Sequence, residues 1–153
     1  MKLLAMAISI AATAHVNQLD KGGQPYILHP LTVMHKVKSD CPYTKQVAIL
    51  HDVIEDSSIT LEHLKVLGFS SHVLVSLELL THTKSQLYES YITGIGTDLR
   101  ATLVKLADLR HNSDLTRLKG ITDKDLERMA KYQRAYVYLV ERKAEMLAEG
   151  FFA

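Results

Sequence analysis

Residues 47–56 contain a group of reactive side chains that a purely structural helix would not need. Within this apolar stretch, four side chains that can bind a metal or transfer a proton lie close together: His51, Asp52, Glu55 and Asp56. On an α-helix that turns by about 100° per residue, these four fall on one continuous face. Burying such an anionic, imidazole-bearing face is costly unless a cation lies against it. We therefore expect a divalent metal at this face.

Two further segments carry donors of the same kind. His29 precedes Pro30 at a predicted helix start, and Asp108 ends the run Val-Lys-Leu-Ala-Asp, with Asn112 one turn later. Two imidazoles and two carboxylates make a donor set that suits Mn²⁺, Fe²⁺ or Zn²⁺. A metal with positions left open for water and phosphate oxygens supports hydrolysis. An adjacent His-Asp pair by itself is more often part of a capped or salt-bridged helix, so the metal hypothesis depends on all three segments together.

Composition limits the other classes of function. The 153 residues are enough for one domain, predicted over 1–153, with 47% hydrophobic and 23% charged side chains and a net charge of +1. A nearly neutral chain has no overall field that attracts DNA or RNA, so we expect a small-molecule ligand and no nucleic-acid partner. Cys41 is the only cysteine, which excludes an internal disulfide and favours a reducing, cytoplasmic location. The sequence does not predict an oligomeric state.

Residues 1–14 have some features of a secretory signal peptide, since a lysine precedes an apolar run that ends in Ala-Thr-Ala. We predict a first helix instead, because Lys2 is the only charge before the run and the chain continues into His15 without a linker. The run is too short to span a bilayer, and we expect no membrane association.

The spacing of apolar residues predicts an all-α fold, a single helical bundle of about seven or eight helices. Loops are expected where glycine and proline concentrate, as in residues 18–25, and Thr60 and Thr122 are predicted N-caps. No segment has the alternation of a convincing strand. The predicted helices cover residues 2–16, 29–39, 43–56, 60–67, 71–80, 86–95, 97–112 and 122–149.

The order of these motifs resembles the HD-domain hydrolases of the RelA/SpoT type, including the stand-alone small alarmone hydrolases related to metazoan SpoT homologues. The similarity extends from about residue 15 to residue 132. It is carried by His15, Gln18, Lys21 and Gly23-x-Pro25-Tyr26-Ile27-x-His29-Pro30, by His51-Asp52-x-x-Glu55-Asp56, and by Lys105-Leu106-Ala107-Asp108-x-x-x-Asn112. The resemblance implies an all-helical HD domain that binds Mn²⁺ and removes the 3′-pyrophosphate of (p)ppGpp.

The same resemblance implies a role for each matching residue. The metal ligands would be His29, His51, Asp52 and Asp108. The residues that position and activate the attacking water would be Glu55 and Asp56. The residues that bind the nucleotide would be Lys21, Asn112, Arg128 and Tyr132.

One position departs from the family pattern. Where the alarmone hydrolases have an Arg-Lys pair in the loop before the Gly-x-Pro-Tyr-Ile stretch, this chain has Asp20-Lys21. An acid cannot supply the cation that packs on the guanine base. An HD phosphohydrolase acting on another nucleotide phosphate, such as the 2′-phosphate of NADPH, is therefore an open alternative. A second alternative is a non-catalytic nucleotide-binding HD module.

Overall fold

The computed structural model describes residues 2–152, which form a helical bundle. Within that range there are nine α-helices and one 3₁₀ turn, and the β structure is limited to an isolated bridge between Leu19 and Pro25. The predicted all-α fold is confirmed. The helices are α1 (Lys2–Ala14), α2 (Leu28–Lys36), α3 (Pro42–Leu50), α4 (Val53–Asp56), α5 (Leu61–Val66), α6 (Ser71–Leu80), α7 (Tyr88–Ile95), α8 (Leu99–Asn112) and α9 (Asp123–Ala148), and the 3₁₀ turn spans Leu115–Arg117.

Helix α3 is the centre of the bundle. It packs against α1, α2, α6 and α8, and its residues Val47, Ala48, Ile49 and Leu50 are fully buried. A helical turn made only of apolar residues is stable only when protein surrounds it. Its C-terminal end is therefore held firmly in place, and the candidate site begins there.

The single helix predicted over residues 43–56 is wrong, because two helices occupy this range. A turn formed by His51 and Asp52 separates α3 from α4. Nδ1 of His51 donates to the carbonyl of Ala48 at 2.8 Å, an acceptor that a continuing helix would use for its own backbone. The sequence suggested that the four reactive side chains of this stretch share one helical face. Because of the break between the two helices, they do not.

The first helix belongs to the core. Ala7 and Ala11 of α1 are completely buried, and the helix packs against α3. This agrees with the prediction of a structural helix for this segment. None of the helices in the described range has the length and apolar character needed to cross a membrane.

Capping side chains determine where three helices begin. Thr60 and Thr122 accept backbone N–H groups of α5 and α9, as predicted. The carboxylate of Asp98 accepts the N–H of Ala101 at 2.8 Å, so α8 begins two residues later than predicted. This cap fixes the start of the helix that contributes most residues to the site.

Candidate active site

Three side chains from distant parts of the chain meet at one point. His29 lies in α2, His51 directly follows α3, and Asp108 lies in α8. Nε2 of His29 is 3.2 Å from Nε2 of His51 and 3.1 Å from Oδ1 of Asp108, and the same oxygen is 3.7 Å from Nε2 of His51. All three residues are buried. The packing of α2, α3 and α8 thus gathers three of the four predicted metal ligands.

Asp52 adds the fourth predicted donor. Its Oδ2 is 3.1 Å from Nε2 of His51 and 3.5 Å from Nε2 of His29. The hydroxyl of Tyr26 donates to the same oxygen at 2.7 Å, which fixes the direction of the carboxylate. We refer to His29, His51, Asp52 and Asp108 as the donor cluster.

The spacing within the donor cluster fits a single metal ion. Two ligand atoms that each lie about 2.1 Å from one ion are roughly 3.0–3.4 Å apart when the angle between them is about 90–109°. The distances described above lie between 3.1 and 3.7 Å, so only small shifts are required. Imidazole and carboxylate donors together suit Mn²⁺, Fe²⁺ or Zn²⁺. The donor cluster can therefore hold a divalent cation.

The second ring nitrogen of each histidine has a partner, which leaves Nε2 for a metal. His51 Nδ1 donates to the Ala48 carbonyl, and His29 Nδ1 is 2.7 Å from Nδ1 of His111. A metal on Nε2 of His29 requires a proton on its Nδ1, so His111 has to be the acceptor. Burial and the guanidinium of Arg117 lower the pKa of His111 to about 4, which keeps this ring neutral and able to accept.

Lys105 and His111 are part of the site, although neither received a role from the sequence. Nζ of Lys105 donates to Oδ2 of Asp108 at 2.7 Å, and Nδ2 of Asn112 donates to Oδ1 at 2.6 Å. Lys105 and His111 each lie three residues from Asp108 on α8, and residues at this spacing are neighbours on a helix surface. Helical spacing around the aspartate is therefore the signal that could have found both.

Opposite charges keep the Asp108 carboxylate and the His51 imidazole ionised despite their burial. Burial raises the pKa of Asp108, but the ammonium of Lys105 and the two imidazoles outweigh this effect and hold it well below its ordinary value. Burial lowers the pKa of His51, but Asp52 and Asp108 raise it to about 10. A histidine that binds a metal has to be neutral, so a proton and a metal compete for the His51 ring.

Glu55 and Asp56 are the predicted water-activating pair. Both lie on α4, the helix that begins directly after Asp52. Partial burial raises the pKa of Glu55, and the negative charge of Asp52 raises it further. The backbone N–H of His82, which donates to Oε2 at 3.2 Å, lowers it, but by less than the rise. Oδ2 of Asp56 accepts from Nε2 of Gln18 at 2.9 Å. A raised pKa makes a carboxylate a better proton acceptor, which favours Glu55 as the general base.

A cavity of about 280 Å³ lies beside His29. Burial raises the pKa of the Tyr132 phenol in its wall, so this hydroxyl stays protonated. Nη2 of Arg128 is 2.6 Å from Oδ1 of Asp125, which holds the guanidinium in place. The cavity is lined by all four of the predicted nucleotide-binding residues, Lys21, Asn112, Arg128 and Tyr132.

Asp20, the departure from the family pattern, lines the same cavity and is paired with an arginine. Its Oδ2 accepts from Nη2 of Arg117 at 2.8 Å, and its Oδ1 accepts the N–H groups of Gly22 and Gln24, each at 2.9 Å. Sequence reasoning missed Arg117 because 97 residues separate it from Asp20. The 3₁₀ turn that carries this arginine was not predicted either.

The chain is similar in sequence to several curated proteins. The chain is 30% identical over 155 residues to the guanosine-3′,5′-bis(diphosphate) 3′-pyrophosphohydrolase of Borreliella burgdorferi, covering 92% of this chain and 23% of that protein. It is 36% identical over 115 residues to the Haemophilus influenzae protein of the same name, covering 67% and 17%. It is 32% identical over 124 residues to the bifunctional (p)ppGpp synthase/hydrolase SpoT of Escherichia coli, covering 72% and 18%. The chain thus spans about a fifth of the length of these relatives.

A solved structure described as a metazoan orthologue of SpoT that hydrolyses ppGpp has the same fold. The TM-score is 0.76 at 23% identity, and the alignment covers 99% of this chain and 98% of that one. No family model matches the chain. The helical bundle has the all-α fold of an HD domain. The sequence similarities place the chain among relatives of the RelA/SpoT-type proteins.

Proposed function

We propose that the chain is a metal-dependent phosphohydrolase that removes the 3′-pyrophosphate of (p)ppGpp. The observation that carries this proposal is the donor cluster, because its His29 also lines the cavity of about 280 Å³. Hydrolysis adds water across the bond between the 3′ oxygen and the pyrophosphate, which gives GDP or GTP and free pyrophosphate. The names of the relatives from B. burgdorferi and E. coli support this choice of substrate.

Each part of the site has a role in this reaction. A metal bound by the donor cluster neutralises phosphate charge and lowers the pKa of water. Glu55 accepts the proton of the attacking water at its carboxylate, because its raised pKa brings it closer to neutral pH. Asp56, whose carboxylate is fixed by Gln18, orients that water.

The other predicted residues bind the nucleotide. Lys21 forms no ion pair with the described part of the chain, so its ammonium is available to a phosphate group. Arg128, held by Asp125, and the ring of Tyr132 form the α9 side of the cavity. Asn112 connects both parts of the site, since it lines the cavity and donates to Asp108.

Mn²⁺ is the metal in this proposal, with Fe²⁺ and Zn²⁺ as the alternatives that the donors also suit. The test is to remove metal with a chelator, to reload the protein with each ion separately, and to measure both the bound metal and pyrophosphate release. Highest turnover with Mn²⁺ at one bound ion per chain supports the assignment. Full activity with Zn²⁺ alone contradicts it.

Pyrophosphate release from ppGpp tests the activity itself. Mn²⁺-loaded protein is incubated with ppGpp, and Asp52→Ala, which lacks one donor, is the matched control. Turnover well above that of the variant supports the proposal. Turnover no higher than that of the variant removes the alarmone assignment.

Asp20 favours a second candidate, a phosphohydrolase that acts on another nucleotide phosphate. Its carboxylate lies in the cavity wall, where the family pattern has a cation that packs on guanine. A panel of nucleotides with 2′-, 3′- and 5′-phosphates, including NADPH, separates the two candidates. Hydrolysis of ppGpp alone eliminates the second, and hydrolysis of NADPH alone eliminates the first. Binding of metal and nucleotide without turnover of any substrate indicates a non-catalytic module.

The proposal also includes one folding unit over residues 1–153, a small-molecule partner without nucleic acid, and a cytoplasmic location. The near-zero net charge supports the absence of a nucleic-acid partner, and the lone Cys41 supports the location. Fractionation of cells that express the chain at natural levels tests the location.

A further inference from the structure

The guanidinium of Arg117 is fixed in the wall of the cavity by two neighbours. Nη2 donates to Oδ2 of Asp20 at 2.8 Å, and Nη1 donates to the backbone carbonyl of His111 at 3.0 Å. The side chain keeps 24% of its surface exposed, and the residue lines the same cavity as His29 and Tyr132. Both of its terminal nitrogens are thus engaged, while part of the side chain stays accessible.

The loop that carries Asp20 is built to meet the segment that carries Arg117. A Cβ added at Gly22 would collide with the carbonyl oxygen of Arg117, so the absence of a side chain permits this approach. The Asp20 carboxylate accepts from two backbone N–H groups of its own loop as well as from the arginine. Backbone groups therefore hold both members of the pair: two N–H groups of the loop hold Asp20, and the carbonyl of His111 holds Arg117.

The ion pair with Asp20 determines whether Arg117 is better suited to bind the phosphates or the base of a nucleotide. The charge of its guanidinium is balanced by Asp20 at 2.8 Å, and this carboxylate repels any phosphate that approaches it. Lys21, the next residue, has no carboxylate partner within residues 2–152 and is the better phosphate ligand. A paired guanidinium still has its planar faces, and arginine stacks through them on aromatic rings.

We propose that Arg117, held by Asp20, is a substrate-binding residue that stacks on the base of the nucleotide. The proposal rests on the proposed function only in taking a nucleotide as the ligand. In this arrangement the acid at position 20 does not remove the base-binding cation from the cavity. It holds in place an arginine that another loop supplies.

Calorimetric titration with GDP and with inorganic pyrophosphate tests the proposal without relying on turnover. The proteins are Mn²⁺-loaded wild type, Arg117→Ala and Arg117→Lys, and the control is Arg134→Ala, an exposed arginine of α9 that does not line this cavity. Both substitutions of Arg117 are expected to weaken GDP binding at least about fivefold, because lysine keeps the charge but has no plane to stack. In Arg117→Lys, which keeps a positive charge beside Asp20, pyrophosphate affinity is expected to stay within twofold of the wild type. Thermal unfolding of each variant verifies that it is folded.

Three results overturn the proposal. These are unchanged GDP affinity in Arg117→Ala, an equal loss of GDP and pyrophosphate affinity in Arg117→Lys, and a wild-type protein that does not bind GDP. Wild-type protein that binds GDP through Arg117 but does not hydrolyse ppGpp leaves this inference standing and rejects the proposed activity.

Asp20→Asn tests the link between the two residues. Asparagine keeps an oxygen for the N–H groups of Gly22 and Gln24 but loses the charge that holds Arg117. We expect weaker GDP binding in this variant, and no further loss when it is combined with Arg117→Ala. Additive losses in the double variant contradict a shared role and indicate that Asp20 acts without the arginine.

Discussion

At the scale of single residues, the orientation of the donor cluster is fixed by partners that lie outside it. His111 takes the second ring nitrogen of His29, the Ala48 carbonyl takes that of His51, and Tyr26 donates to Asp52. Such partners select the tautomer and the direction of a ligand. Losing one of them should therefore weaken metal binding more than it disturbs the fold.

The first prediction concerns His111. In His111→Ala the ring of His29 loses its hydrogen-bond partner, and we expect the affinity for Mn²⁺ to fall by about 10–100-fold. Competition against a fluorescent chelator measures this affinity. His35→Ala is the control, since His35 is exposed on α2. Equal affinities of the two variants would show that the His29–His111 contact does not support metal binding.

The second prediction concerns Glu55. Glu55→Gln keeps an acceptor for the His82 N–H but cannot take a proton, so turnover of ppGpp should fall by roughly 10²–10⁴-fold. Bound metal, measured by elemental analysis, should not change. Glu78→Gln on the exposed side of α6 is expected to behave as the wild type. Normal turnover in Glu55→Gln assigns the general base to another group.

The sequence identified the donor side chains because their chemistry is unusual for a buried helix. It could not identify the contacts that depend on the path of the chain. His111 and Lys105 are recognised only when α8 is treated as a helix and the residues three positions before and after Asp108 are considered. Arg117 has no local signal of any kind, since its partner Asp20 precedes it by 97 residues.

At the scale of elements, the break between α3 and α4 separates the buried scaffold from the reactive groups. The last four residues of α3, 47–50, are completely enclosed, whereas Glu55 and Asp56 on α4 are exposed. A continuous helix would have carried all of these residues on one rigid axis. The turn at His51 and Asp52 allows the donors to point inward while the acids of the next helix reach solvent.

The third prediction concerns the contact between α1 and α3. Ala11 is fully buried, so Ala11→Leu should overpack this contact and lower the free energy of unfolding by about 1–3 kcal/mol. Urea denaturation followed by circular dichroism measures the loss. Ala12→Leu, the neighbouring exposed position, should leave stability nearly unchanged. Comparable stability of the two variants is incompatible with α1 as a core helix.

Most helix positions could be predicted because apolar periodicity and caps act locally. Thr122 and Thr60 start their helices as expected. The break after α3 could not be predicted, since it depends on a histidine ring that competes with the backbone for one carbonyl. The periodicity of residues 43–56 is equally consistent with one helix or two.

At the scale of the whole molecule, the donor cluster connects α2, α3 and α8. These helices carry residues that are far apart in the sequence, and none of them binds a metal alone. An ion that bridges them stabilises the folded chain, because the donors are dispersed in the unfolded chain.

The fourth prediction follows from this link. Mn²⁺ at about 100 times its dissociation constant should raise the free energy of unfolding by about 2.7 kcal/mol, and the proposed single domain should unfold in one transition. Calorimetry with and without metal measures both quantities. His51→Ala is expected to lose the metal-dependent increase, whatever its own stability. A second transition in the wild type contradicts one folding unit.

The contact at Gly22 has a consequence for attempts to re-engineer this protein. An ion pair joins the loop of residues 18–25 to the turn Leu115–Arg117. The two segments also approach so closely at Gly22 that a methyl group would not fit between them. Grafting either segment alone onto a homologous scaffold would leave Asp20 or Arg117 without its charged partner, or would create a steric clash. Grafted together, the two segments keep the ion pair and the close approach at Gly22. The recipient must also supply the partners of Gln18 and Arg117 on α4 and α8, which are Asp56 and the carbonyl of His111.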